Sequence, residues 1–205
     1  MTTPKLNVVP KTPAFTKSAA YVVGVTTKSD RPALAQTPIE TSSIAQLDLS
    51  ALGAKSALES TLRIPAPNGA VYLLIGVGDE SYGVDTLRNL AGAAARALAD
   101  VKEVVFGLPT TSKEDSAAIF EGALLARYEF NEYKGHSRGA GNQTAKLTLV
   151  SSHKPTPAAL ERIQVLVSAV DATKDLVNTP ARDIYPQSLA AAVQKAARGT
   201  GATVE

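Results

Sequence analysis

A chain of 205 residues, 44% hydrophobic and 20% charged, is long and apolar enough for one generous core. Its formal charge of +2 is spread evenly, nine Lys and Arg against eight Asp and Glu in residues 1–100 and twelve against eleven in 101–205, so nothing demands nucleic acid or an acidic membrane. The absence of cysteine excludes disulfides, thiolate metal sites and a cysteine nucleophile.

The first fourteen residues, with Pro4, Pro10 and Pro13, read as an extended lead with an edge strand around Leu6 to Val9. They lack the apolar core of a signal peptide, and no run approaches membrane-spanning length, so a cytoplasmic protein is expected. Ala19 to Thr27 is β-branched and aromatic, a strand. Ser29 to Thr41, with Pro32 and Pro38, reads as loop, and Ser42 to Leu52 as a short helix ending at Gly53. Thr61 to Ile64 is a short strand stopped by Pro65, and Asn68-Gly69 signals a turn.

Val71 to Val77 is apolar without alternation, as expected of a strand covered on both faces. The helix that follows starts near Asp85 and runs to about Ala99; Leu87, Leu90, Ala91, Ala94 and Leu98 make one stripe at helical spacing. Glu103 to Leu108 is a second buried strand, halted by Pro109. Ser112 to Asp115 resembles a capping box, with Asp in place of Glu or Gln, opening a helix to about Phe130. Asn131 to Thr144 is a polar loop, and Ala145 to Ser152 a further strand. Alternating strands and helices predict a mostly parallel sheet with helices on both faces.

Thr156-Pro157 caps a long helix whose stripe of Leu160, Ile163, Val167 and Val170 continues toward Val177. Asn178 and Pro180 stop it; Pro186 restarts helix, and Gly199 and Gly201 end the second one. Ala202 to Glu205 then has the look of an opening strand, so the chain is expected to be a piece of a longer protein.

Chemistry is hard to find. Gly76-Val77-Gly78 sits between a buried strand and a helix, where anions bind. The dinucleotide fingerprint nevertheless fails at Ser81, Gly83 comes too late, and Asp79-Glu80 puts carboxylates where a phosphate belongs; a structural turn is favoured. His136 and His153 lack metal-ligand spacing. Lys134, His136, Arg138 and Lys146 make a modest basic loop without interleaved aromatics, which argues against a nucleic-acid reader. The pair Glu114-Asp115 is explained by the favourable charge at a helix N-terminus. No catalytic, cofactor-binding or metal-binding residue is assigned.

Two blocks carry a resemblance. Asp175-Leu176-Val177-Asn178-Thr179-Pro180, followed by Tyr185-Pro186, resembles the segment that opens the catalytic domain of leucyl (cytosol) aminopeptidases, with Arg182 where most members have Asn. Glu121 to Lys134 resembles a helix late in that family's amino-terminal domain. The resemblance implies a macro-domain-like α/β domain over residues 1–154, a linker helix over 155–178 and the start of the catalytic domain over 179–205. It implies a parent enzyme that releases N-terminal residues, often leucine, from peptides, using two divalent ions (Mn or Zn), as a homohexamer. The family's Asn-Thr-Asp-Ala-Glu-Gly-Arg motif is absent from these residues, so the chain itself is expected to be inactive, and monomeric or weakly self-associating. The alternative is a macro-like module that binds ADP-ribose or a related nucleotide.

Overall fold

The structure, a computed structural model, describes residues 3–79, 82–135 and 141–203. It divides into two compact units, residues 1–167 and 168–205.

The first unit is built on a seven-stranded sheet. In chain order its elements are β1 (Lys5–Val9), β2 (Ala19–Lys28), β3 (Arg31–Leu34), β4 (Thr61–Pro65), β5 (Val71–Gly78), α1 (Val84–Ala97), β6 (Glu103–Phe106), α2 (Lys113–Leu125) and β7 (Lys146–Val150). Helix α3 (Pro157–Asn178) opens at the end of this unit. The strands lie in the order β1-β7-β6-β2-β5-β4, with β3 paired to β2. Pairing is parallel from β1 to β5; β3 and β4 run antiparallel to their neighbours.

The continuous apolar runs serve two cores, one on each face. Leu73, Ile75 and Val77 of β5 face one way, with Val22, Val104, Phe106, Leu147 and Leu149. The stripe Leu87, Leu90, Ala91, Ala94 and Leu98 packs there, joined by Ile119, Phe120 and Ala123 of α2 and Ile163 of α3. Helices α1 and α2 lie close because Gly122 has no side chain: a Cβ there would sit 1.9 Å from the Arg88 carbonyl oxygen. Tyr21, Val23, Val25, Tyr72 and Leu74 face the opposite way.

That second face departs from expectation, because no described helix covers it. Ile39, Ile44, Leu49 and Ala54 close it from a run of turns, packed with the partly buried Phe15. Ser42 to Leu52 is turns and not helix. Its apolar anchors, Ile44, Leu49 and Ala54, recur every five residues and miss the helical period. The Asp48 carboxylate also takes the N–H groups of Ser50 and Ala51, which a helix would need.

Two further boundaries move. The expected loop after Ser29 contains β3, joined to β2 by Ser29 and Asp30, both with positive φ (49° and 60°), a tight-hairpin geometry. Pro32 argues against a strand, but this short outer strand tolerates it. Helix α2 stops at Leu125 instead of Phe130. Arg127 is buried, and its guanidinium donates to the Thr144 carbonyl (2.9 Å) and the Asn142 side chain (3.3 Å), pulling the chain off the helix axis.

The second unit holds the end of α3 and α4 (Pro186–Ala197). Asp183 and Ile184 both donate to the Pro180 carbonyl in the turn between them. Ser188 accepts the Tyr185 N–H (2.8 Å), closing the first turn of α4. None of the described residues from 168 onward is buried. The expected strand at Ala202 to Glu205 falls partly outside the described residues; Ala202 and Thr203 are not in a strand.

Candidate functional site

Parallel strands end in loops at one edge of the sheet, and ligands in such folds gather at those carboxyl ends. Here the segments after β1, β3, β6 and β7 enclose a crevice of about 400 Å³. Its hydroxyl wall is Thr110, Thr111, Ser151 and Ser152, facing Gln36 and Thr37. Thr110 and Ser151 lie with their oxygens 2.7 Å apart, and the buried Ser116 hydroxyl stands 3.5 Å behind Ser151. Thr37 donates to the Gly107 carbonyl (2.8 Å), fixing the β3 loop against the end of β6.

The helix α2 begins at this crevice, and its positive end is already occupied. Ser112 accepts the Asp115 N–H (3.0 Å), completing the expected capping box. In return Asp115 accepts from the backbone N–H groups of Thr111 (2.8 Å) and Ser112 (3.0 Å) and from the Thr111 hydroxyl (2.8 Å). Burial pushes the Asp115 carboxyl up, but these bonds outweigh it and hold the group below the ordinary aspartate value.

The glycine turn is consumed by the chain itself. Gly76 donates to the Ser60 carbonyl and Gly78 to the Ser56 carbonyl, each at 2.8 Å. A Cβ on Gly76 would lie 1.9 Å from the Ala57 carbonyl oxygen. These glycines admit a crossing segment, and their N–H groups are not available to a phosphate. Glu80 and Ser81 lie outside the described residues, and Asp79 is exposed.

The other candidates do not converge. Lys146 belongs to β7 and pairs with Glu103 (2.7 Å), while Lys134 is exposed; His136 and Arg138 lie outside the described residues. His153 donates its backbone N–H to Ser151 (2.8 Å) and so braces the crevice wall through its main chain. Glu114 is exposed beside the buried Asp115. Among the described residues no group of three or more His, Asp or Glu could hold a metal ion, so they do not fit a two-metal centre. The crevice itself escaped sequence reasoning, since its walls come from four loops. Its one sequence trace is a Ser or Thr a few residues beyond β3, β6 and β7: Thr37, Thr110-Thr111 and Ser151-Ser152.

No helix among the described residues is long and apolar enough to cross a membrane. Two solved structures share the fold. A tomato leucine aminopeptidase mutant matches with a TM-score of 0.70 and 19% identity, over 95% of this chain and 42% of that one. The bottromycin maturation enzyme BotP in complex with Mn matches at 0.63 and 22%, over 90% and 37%. A probable cytosol aminopeptidase of Streptomyces avermitilis is 37% identical over 175 residues, covering 77% of this chain and 34% of the relative. That of Leifsonia xyli subsp. xyli is 30% identical across 100% of this chain and 41% of its own length. The chain therefore spans about a third to two fifths of these curated relatives. Residues 22–137 match the model of the cytosol aminopeptidase family's N-terminal domain, and the chain belongs to that family.

Proposed function

We propose that this chain is the non-catalytic amino-terminal part of a metal-dependent leucyl aminopeptidase. In this reading residues 1–154 form the amino-terminal domain, 155–178 the linker helix and 179–205 the opening of the catalytic domain. The complete protein is cytoplasmic, assembles as a homohexamer and releases N-terminal residues, often leucine, from peptides. Its Mn or Zn ions and its catalytic groups are held outside these residues. The observation that carries the reading is the match of residues 22–137 to the family's N-terminal domain, in a chain that covers only 34% and 41% of two curated relatives.

The test compares two polypeptides. The purified 205-residue chain, given Mn or Zn, leaves leucine p-nitroanilide intact, whereas the complete reading frame turns it over. Metal-dependent turnover by the chain alone, with contaminating peptidases excluded, would falsify its non-catalytic role. A complete protein inert toward leucine and related amides overturns the parent activity. Light scattering gives the assembly, with a hexamer expected for the complete protein and none for the chain.

A further inference from the structure

We propose that the crevice beyond β1, β6 and β7 binds an uncharged, hydroxyl-rich small molecule of monosaccharide size, and that it turns phosphorylated ligands away. The place and size are right for a ligand: carboxyl ends of adjacent parallel strands, and about 400 Å³. The chemistry of the wall selects the class.

An anion site in such a fold uses backbone N–H groups, and here several of them are removed or spent. Pro10, Pro38 and Pro109 line the crevice and have no N–H to offer. The Thr111 and Ser112 N–H groups go to Asp115, and the Ser151 N–H goes to the Val9 carbonyl (2.9 Å). No lining side chain is a cation. The Asp115 charge at the head of α2 repels a further anion at short range. A diphosphate such as that of ADP-ribose meets no cationic side chain here and finds a carboxylate at the head of the helix.

A neutral polyol does find partners. The Thr110 and Ser151 oxygens touch, and either can be the donor of that contact. Ser151 also accepts the His153 N–H (2.8 Å), so the pair offers a ligand the remaining donor and acceptor capacity of the two hydroxyls. Gln36 adds an amide with both capacities. A sugar hydroxyl is likewise donor and acceptor at once, which matches this wall. The lining has no aromatic ring, so it offers no platform for stacking a nucleobase.

The test is a titration of the isotope-labelled 205-residue chain followed by amide NMR. D-ribose and D-glucose are the neutral probes; ribose 5-phosphate and ADP-ribose are the charged ones. At least one neutral sugar is expected to shift amides within 108–111 and 150–152 saturably. The Thr110→Val, Ser151→Ala double variant is expected to weaken it by about tenfold, the loss of one or two neutral hydrogen bonds. Ribose 5-phosphate is expected to bind at least as weakly as that variant. If the double variant does not fold, Thr110→Val alone is read against the same criterion. Saturable shifts by neither sugar overturn the proposal. So do phosphorylated probes that bind as well as the neutral ones, or sugar binding that ignores the substitutions.

Discussion

Asp115 shows how one side chain can settle both a helix and the character of a surface. Its carboxylate holds two backbone N–H groups and a hydroxyl at the start of α2, in a position where an external anion would otherwise be attracted. Asp115→Ala is expected to cost about 1–2 kcal/mol at pH 7, the usual scale for a lost cap. Its depressed folded-state pKa means that this contribution is complete above the unfolded value, near 3.8, and is lost as pH falls through the folded value. Urea titrations at pH 7 and at pH 3 should therefore show the difference between wild type and variant shrinking in acid. An undiminished difference would mean that shape and not charge carries the effect.

Elements were legible where one physical signal dominated. The unbroken apolar run of β5 and the α1 stripe both lead to buried surfaces, because periodicity reports which faces lose water. Leu90 is fully buried in that stripe, and Leu90→Asp is expected to destabilise the domain by roughly 3–5 kcal/mol through lost packing and a buried unpaired charge. A soluble variant with an unchanged melting temperature would place that face elsewhere. Reading failed where long-range contacts set the outcome. Nothing local announces that Arg127 will seek the Thr144 carbonyl and end α2 early, or that turns will roof the second face. Gly122 looks like an ordinary helix weakener until the Arg88 backbone is seen against it. The crevice was illegible for the same reason, being assembled from loops far apart in the chain.

At the scale of the molecule, the sheet joins the two ends of the first unit. Strand β1 finds its partner in β7, Lys5 opposite Lys146 and Val9 opposite Val150. Nearly the whole domain is synthesised between those partners, so closing this pair incurs the largest loop entropy in the sheet. Folding should then proceed from the inner strands β2, β5 and β6, with the outer edge zipping on after the rate-limiting step. Val8, partly buried against the core, reports this directly. Val8→Ala is expected to lose about 1 kcal/mol, expressed almost wholly as faster unfolding, with a φ-value near zero. Stopped-flow chevrons measure it, and a folding arm slowed to match would put β1 in the nucleus instead. Late closure also has a consequence during translation: until residues 146–150 leave the ribosome, the partner edge of β1 does not exist, and the amino-terminal strand must wait unpaired.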